Sequence, residues 1–210
     1  MLEGIDVLCH SSIRINKDKI IYIDPFKINK NYNDADIIFI THDHYDHYSE
    51  EDIIKVRKKD TFIIIPESLI QKAINNGFTK EKIISVVPNK KYTVLGIEFE
   101  TVPSYNINKK FHPKENNWVG YILELNKVRY YIAGDTDITD ENRKVICDIA
   151  FLPIGGIYTM TYEQAAYLAN EIKPKIVVPI HYGEIVGSKN DAIEFAKLID
   201  DEIQCKILLK

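Results

Sequence analysis

Three of the six histidines in this sequence fall within six residues, in the pattern His42-x-His44-x-Asp46-His47. Imidazole nitrogen and carboxylate oxygen are ligands that zinc and other borderline divalent ions accept in proteins. Four such ligands are more than one tetrahedral ion can use while keeping a position open for water. The pattern therefore favours two ions, with His42 and His44 on the first and Asp46 and His47 on the second.

The segment before this cluster indicates how it is presented. Residues 36–40 (Asp-Ile-Ile-Phe-Ile) form a continuous apolar run of strand length, typical of a strand covered on both faces. Open α/β sheets bind ligands at the carboxyl ends of their strands. A loop at this place can turn several side chains toward one point. The alternative is a solvated loop that is merely rich in histidine, which would need no buried strand beside it.

This cluster and two later motifs resemble the metallo-β-lactamase superfamily. Residues 35–47 are similar to that family's first metal motif, residues 133–136 (Ala-Gly-Asp-Thr) to its bridging-carboxylate motif, and residues 178–183 (Val-Pro-Ile-His-Tyr-Gly) to its final histidine motif. The three occur in the family's order. The chain most resembles the group around ascorbate-6-phosphate lactonase, and this narrower resemblance is carried by residues 9–12 (Cys-His-Ser-Ser), 24–25 (Asp-Pro), 155–156 (Gly-Gly) and 159–161 (Thr-Met-Thr).

The resemblance implies a ligand set for two ions. Taken alone, an aspartate in Gly-Asp-Thr would be interpreted as a turn residue, and a histidine after a buried strand as a core residue. Because both residues follow the first motif in the family's order, the resemblance makes both of them expected ligands. The implied ligands are His42 and His44 for metal one, Asp46, His47 and His181 for metal two, and Asp135 as the bridge between them.

One ligand of metal one departs from the family's pattern. The family supplies a third histidine from the end of a strand before Gly-Asp-Thr, and the matching position here holds Asn106. The histidine of this interval is His112, followed by Pro113. Three interpretations stay open: His112 completes metal one, metal one has fewer protein ligands, or the site holds a single ion. We favour the first, because proline restricts the residue before it; the alternative is a surface histidine in a lysine-rich loop.

These ligands suit hydrolysis. Two divalent ions, zinc in the first place and manganese or iron as alternatives, would lower the pKa of a shared water and supply hydroxide. The hydroxide would attack an ester, lactone or phosphodiester bond, and Asp46 would orient it. His10, just after the first strand, is a candidate catalytic residue or substrate contact, although a histidine bonded to the backbone is an equally good interpretation. Tyr105 is a second candidate for the acid that protonates the leaving group.

The substrate class is indicated in outline. We expect a small molecule. Lys109, Lys110 and Lys114 flank His112 and could meet a phosphate or another anion, so that the substrate would be anionic or phosphorylated. A solvated charged loop is the more usual reason for such a run.

Two other functions stay open. One is an iron-binding redox relative, but the oxygen-reducing relatives carry a glutamate where this chain has His44, and they need an electron-carrier domain. The other is a metal-binding protein without hydrolase activity. Nucleic acid is not expected as a partner, because the formal net charge is -4 and relatives that process it add a clamp domain or a long arm.

Length and composition predict one domain, residues 1–210. Cys9, Cys147 and Cys205 form no CxxC pair and predict free thiols in a reducing compartment. The first residues lack the features of a signal peptide, and no apolar stretch reaches the roughly 20 residues of a membrane span. We expect a cytoplasmic protein, and the sequence predicts no oligomeric state.

Short strand patterns alternate with helical patterns in both halves of the chain. Together with the resemblance, they predict an α/β fold: a four-layer αβ/βα sandwich of two mixed sheets with outer helices. Helices are predicted at residues 49–58, 67–75, 161–172 and 188–199. Strands are predicted at residues 5–9, 12–15, 20–24, 36–40, 61–65, 83–87, 92–95, 97–103, 118–125, 128–133, 148–152, 176–180 and 204–208.

Overall fold

The structure is a computed structural model that describes residues 1–209. The chain divides into two compact units, Met1–Val87 and a unit that begins at Pro88. Each unit contains one mixed β-sheet and two α-helices, in agreement with the predicted pair of mixed sheets. The prediction of a single domain over residues 1–210 stays a prediction.

The first unit is built on a six-stranded sheet whose strands lie in chain order. The first two pairs of strands are antiparallel and the following three pairs are parallel. The strands are β1 (Ile5–Cys9), β2 (Ser12–Asn16), β3 (Ile20–Ile23), β4 (Ala35–Phe39), β5 (Arg57–Pro66) and β6 (Ile83–Val86), and the helices are α1 (Glu50–Val56) and α2 (Ile70–Asn75).

Burial explains why these segments fold as they do. β4 is buried at four of its five positions, as expected for a parallel strand covered on both faces. Helix α1 begins after Ser49, whose side chain caps the first turn. It buries Ile53 and Val56 in the apolar core of this unit.

Two parallel strands of this sheet end side by side. β3 pairs with β4, and the backbone N–H of Asp24 donates to the carbonyl of Phe39 at 2.9 Å. Asp24 therefore follows β3 at the edge of the sheet where Thr41 and His42 follow β4. The sheet delivers a carboxylate and the start of the histidine cluster to one place.

The second unit is built on a seven-stranded sheet, again in chain order. The first three pairs of strands are antiparallel and the last three are parallel. The strands are β7 (Lys91–Val94), β8 (Ile97–Pro103), β9 (Val119–Leu125), β10 (Val128–Ile132), β11 (Ile149–Pro153), β12 (Ile176–Ile180) and β13 (Gln204–Cys205), and the helices are α3 (Tyr162–Ile172) and α4 (Lys189–Lys197).

Five strands of this sheet point in one direction. β8 and β10 are both antiparallel to β9, and β11, β12 and β13 run parallel to β10. Asn106, Asp135 and His181 follow the carboxyl ends of three of these strands, so they are delivered to the same edge. The Ser104 hydroxyl donates to the carbonyl of Asp135 at 2.9 Å, which ties the end of β8 to the end of β10.

Several element boundaries differ from the prediction, by one to four residues. The helix predicted over residues 49–58 ends at Val56, because Arg57 is already extended and pairs with Ala35 as the first residue of β5. The strand predicted over residues 204–208 is confined to Gln204–Cys205, the two residues that form its ladder with β12. Within residues 1–209, no helix combines the length and apolar character that crossing a membrane requires.

Gly120 lies on β9 where the neighbouring backbone is very close. A Cβ at this position would lie 2.6 Å from the backbone oxygens of both Ile132 and Ala133. We therefore expect Gly120→Ala to lower the free energy of unfolding by about 1–3 kcal/mol, the usual cost of overpacking. Urea denaturation measures this effect. Thr93→Ala, at an exposed position of β7, is the control and should change stability by less than about 1 kcal/mol. Unchanged stability in Gly120→Ala would contradict the close approach.

Candidate metal centre

The first ligand set consists of His42, His44, Asp46 and His47, in the loop between β4 and α1. The backbone N–H groups of His47 and Tyr48 both donate to the carbonyl of His44, at 3.0 and 2.7 Å, which makes the loop a tight turn. His42, Asp46 and His47 are 1%, 7% and 0% exposed. The interpretation of this cluster as a solvated histidine-rich loop is therefore wrong for these side chains.

Ring nitrogens of the first two histidines face each other. Nε2 of His42 lies 3.2 Å from Nδ1 of His44. Two ligand atoms that each lie about 2.0–2.1 Å from one tetrahedral zinc ion are about 3.3 Å apart. The pair therefore has the spacing of two ligands of one ion.

The buried carboxylate of Asp24 orients two of these rings. Its Oδ2 lies 2.7 Å from Nδ1 of His47 and accepts a hydrogen bond from the Thr41 hydroxyl at 2.6 Å. Its Oδ1 accepts from the backbone N–H of Thr41 at 2.8 Å. Because the Thr41 hydroxyl donates its hydrogen to Asp24, its oxygen accepts from Nδ1 of His42, 2.9 Å away. Both rings therefore carry a hydrogen on Nδ1 and present Nε2 as the ligand atom.

His10 lies beside this set. It follows β1 with a left-handed backbone, φ 53, and is fully buried. Such a conformation is costly in a residue other than glycine and persists where the surroundings fix it. Nε2 of His10 lies 3.3 Å from Oδ2 of Asp46, so the two predicted catalytic residues are neighbours. Their catalytic roles stay predictions.

The second ligand set consists of His112, Asp135 and His181. Oδ2 of Asp135 lies 2.9 Å from Nε2 of His181 and 3.3 Å from Nε2 of His112. The three residues are 1%, 3% and 1% exposed, so a surface position for His112 does not fit the structure. One carboxylate oxygen thus lies between two imidazole nitrogens.

The position of His181 depends on its own left-handed backbone and on a neighbouring glycine. His181 follows β12 with φ 59. Gly155 follows the neighbouring strand β11, and a Cβ there would lie 2.6 Å from the carbonyl oxygen of His181 and 2.9 Å from its Nδ1. A larger residue at 155 would therefore displace the imidazole, which explains why glycine occupies this position.

His112 is carried by the loop between β8 and β9. Asn106, at the position where the resemblance places a histidine, accepts a hydrogen bond on Oδ1 from Nδ1 of His112 at 3.0 Å. The ring of Trp118 packs edge-on against His112, with centroids 5.7 Å apart. Of the three interpretations left open, this geometry favours the one in which His112 completes the set. Its role as a ligand stays a prediction.

Two lysines of this loop are engaged in ion pairs. Nζ of Lys109 lies 2.5 Å from Oδ1 of Asp137, and Nζ of Lys114 lies 2.8 Å from Oε1 of Glu141. The Tyr105 hydroxyl donates to Glu141 at 2.7 Å, and burial together with this bond raises the pKa of Tyr105. The lysines are therefore poorly placed to bind an anion, and Tyr105 is poorly placed to protonate a leaving group.

Sequence reasoning assigned no role to three residues that orient the ligands: Asp24, Thr41 and Asn106. Asp24 belongs to an Asp-Pro pair that carried the narrower resemblance without a function. Asn106 was treated only as the place of a missing histidine. The signal that could have identified Asp24 is its position directly after β3, the parallel strand that pairs with β4.

The donor atoms fit a divalent metal ion. Imidazole and carboxylate atoms approach one another at 2.9–3.3 Å from mostly buried positions. The rings of His42, His47 and His112 are held by hydrogen bonds from Nδ1, the arrangement commonly found for ligating histidines. Nitrogen and oxygen donors of this kind suit zinc, manganese and iron.

Comparisons with known proteins identify the family. A family model described as a Beta-lactamase superfamily domain matches residues 4–181, a range that includes every predicted ligand. A UPF0173 metal-dependent hydrolase from Thermococcus onnurineus is 31% identical over 215 residues, which cover 96% of this chain and 94% of that protein.

Solved structures agree with this assignment. A candidate metal-dependent hydrolase from Parabacteroides distasonis has a TM-score of 0.82 and 34% identity, with 97% of this chain and 91% of that chain covered. Igni18, a metallo hydrolase from Ignicoccus hospitalis, has a TM-score of 0.77 and 21% identity, with 97% and 93% covered.

The chain belongs to the metallo-β-lactamase superfamily. Within it, the chain belongs to the family of UPF0173 metal-dependent hydrolases. The predicted fold class, an α/β sandwich with two mixed sheets, is confirmed. The general prediction, that the protein is a metal-dependent hydrolase, is confirmed.

Asp24 is the residue through which the orientation of the first ligand set can be tested. In Asp24→Asn an NH2 group replaces one acceptor oxygen, so an amide hydrogen faces the N–H and O–H donors of His47 and Thr41. We expect metal affinity to fall about 10- to 100-fold, as is usual when an outer hydrogen-bond partner of a ligand is lost. Competition with a chromophoric chelator measures the affinity. Asp43→Asn is the matched control, since Asp43 lies in the same loop with a side chain 38% exposed. Equal affinities in both variants would contradict the role of Asp24.

Proposed function

We propose that the protein uses two divalent ions, zinc in the first place, to hydrolyse an ester, lactone or phosphodiester bond of a small substrate. Manganese or iron could take the place of zinc. The ligands are His42, His44 and His112 for metal one, Asp46, His47 and His181 for metal two, and Asp135 as the bridge.

One observation carries this proposal. Oδ2 of Asp135 has the Nε2 atoms of His181 and His112 at 2.9 and 3.3 Å. The proposal assigns these two imidazoles to different ions, so the Asp135 carboxylate between them would be suited to bridge the two ions. Two-metal hydrolases keep their ions roughly 3.5–4 Å apart, a separation that one carboxylate can span.

Side chains of the protein would orient the attacking water and the leaving group. Bound divalent ions supply Lewis acidity and lower the pKa of water toward neutrality. Asp46 accepts a hydrogen bond from the attacking water. His10 protonates the leaving group, an assignment supported by its buried position 3.3 Å from Asp46. Tyr105 is the weaker candidate for this acid, because its hydroxyl is bonded to Glu141.

The surroundings of the second ligand set favour an uncharged substrate over the anionic one that its lysines suggested. Lys109 and Lys114 are paired with carboxylates. Three exposed apolar side chains lie in the same unit: Ile107, Phe111 and Ile157 are 54%, 38% and 61% exposed. We therefore assign a neutral ester or lactone with an apolar group as the first substrate class and a phosphodiester as the second.

Two further predictions belong to this proposal. A cytoplasmic location is supported by the free cysteines Cys9, Cys147 and Cys205, which suit a reducing compartment. Small molecules remain the expected partners, and nucleic acid is not expected, because the formal net charge is -4.

Chelation and Asp135→Asn test the two-metal reaction. We expect chelation to abolish hydrolysis and added zinc to restore it. Asp135→Asn should lower kcat/KM by more than about 100-fold, since loss of a direct ligand exceeds the 10- to 100-fold cost of losing an outer partner. Hydrolysis is followed on a panel of neutral esters, lactones and phosphodiesters. Asp140→Asn, an exposed aspartate five residues further along, is the control and should keep wild-type activity.

The same measurements separate the other functions. Full activity after chelation and in Asp135→Asn would contradict the proposal. Metal binding without hydrolysis of any panel member would favour a metal-binding protein. Purification with iron, together with oxygen consumption, would favour the redox alternative.

Phe111→Ser tests the substrate class. The Phe111 ring packs edge-on against Tyr158, with centroids 4.7 Å apart, next to His112 in the chain. We expect KM for an ester with a long alkyl or aryl group to rise about 10-fold, as for the loss of one apolar contact in a pocket. KM for the matching acetyl ester should hardly change. Ile146→Ser, 76% exposed elsewhere in the unit, is the control. An equal change for both esters would contradict an apolar contact.

A further inference from the structure

Asn106 and His112 are joined by three hydrogen bonds. The backbone N–H of Asn106 donates to the carbonyl of His112 at 2.8 Å. Oδ1 of Asn106 accepts from the backbone N–H of His112 at 3.2 Å and from its ring Nδ1 at 3.0 Å. Nδ2 of Asn106 donates to the carbonyl of Tyr158 at 2.9 Å. Both ends of the buried amide are therefore engaged.

These contacts determine which way the amide points and which ring nitrogen carries the hydrogen. A flipped amide would bring Nδ2 against the N–H of His112 and Oδ1 against the carbonyl of Tyr158. Because Oδ1 can only accept, Nδ1 of His112 carries a hydrogen and the lone pair of the neutral ring lies on Nε2. Nε2 is the atom that lies 3.3 Å from Oδ2 of Asp135.

Asn106 is itself fixed to the segment that carries Asp135. The backbone N–H of Tyr105 donates to the hydroxyl of Thr136 at 3.3 Å. The backbone N–H of Ile107 donates to Oδ2 of Asp137 at 3.0 Å. The neighbours of Asn106 are thus bonded to the two residues that follow Asp135, so the amide keeps its position relative to this carboxylate.

We propose that Asn106 is the positioning residue for His112: its Oδ1 fixes the tautomer and the rotation of the imidazole, so that Nε2 faces Asp135. The inference rests on the proposed function, because the orientation of His112 matters for metal binding only if His112 is a ligand. It extends that function. The position that holds a histidine ligand in the resemblance holds, in this chain, the group that orients a histidine six residues later.

A merely structural role for the amide leads to a different expectation. If Asn106 only closed the turn, its loss would weaken metal binding to the same degree with or without the ring of His112. If Asn106 acts through the ring, its loss matters only while the ring is present. A double-mutant cycle separates the two cases.

The experiment measures zinc affinity by competition with a chromophoric chelator in the full chain. Of the two zinc ions, the one bound with the lower affinity should be bound about 10- to 100-fold less tightly by Asn106→Ala than by wild type. In the His112→Ala background, the same substitution should have no further effect, within about 2-fold. Asn106→Asp keeps an acceptor oxygen for His112 but turns its other oxygen toward the carbonyl of Tyr158, so it should recover part of the affinity lost in Asn106→Ala. Lys110→Ala, exposed in the same loop, is the control and should match wild type.

A spectroscopic readout checks the tautomer without metal. In 1H–15N spectra of the imidazole rings, His112 of the metal-free protein should carry its hydrogen on Nδ1. In Asn106→Ala this preference should be lost. Thermal unfolding of the metal-free variants reports on folding. If Asn106→Ala fails to fold, the zinc affinity of Asn106→Asp and the tautomer of His112 in its spectrum decide the question.

Three results would overturn the inference: affinity of Asn106→Ala within about 2-fold of wild type, equal losses in both backgrounds, or an unchanged tautomer in Asn106→Ala. A wild-type protein that binds no zinc, manganese or iron would instead contradict the proposed function. Failure of the positioning role and failure of the metal site are therefore distinguishable.

Discussion

A neutral imidazole has one lone pair, and the hydrogen on its other nitrogen decides which atom carries it. In three of the predicted ligand histidines this hydrogen is met by an oxygen acceptor. A buried N–H without an acceptor costs about 1–3 kcal/mol, so a ring turned another way would be disfavoured before any metal binds. The acceptors are Asp24 for His47, Thr41 for His42 and Asn106 for His112.

These acceptors are available because of where the strands end. Asp24 and Thr41 follow neighbouring parallel strands, and the chain turns after β3, so that Asp24 contacts His47 directly and His42 through Thr41. The turn requires a left-handed backbone at Asp24, φ 45, and similar turns occur at His10 and His181. Such residues cost of order 1–3 kcal/mol each when they are not glycine. The well-packed apolar cores beneath each sheet offset this strain and keep the donor atoms in place.

The sequence predicted most strands and placed the candidate ligands after them, because apolar runs and strand ends are local features. It could not predict what depends on distant partners. The sequence left Lys109 and Lys114 between an anion contact and a solvated charged loop, whereas each is paired with a carboxylate, 28 and 27 residues away in the chain. The end of helix α1 was placed two residues late, because Arg57 begins a strand through pairing with Ala35. His112 was left among three interpretations, since no local pattern reports the contact with Asn106.

His181 and His112 are predicted ligands that are positioned in different ways. His181 follows β12 directly, so the sheet and Gly155 fix its ring. A histidine in a loop has no such support, and its position must come from another group. Asn106 supplies it, because it lies near the end of β8 and holds the loop residue through both backbone and side chain. The end of β8 therefore positions Asn106, and the hydrogen bonds of Asn106 reach His112 in the loop, so that the predicted donor atom is still tied to the end of a strand.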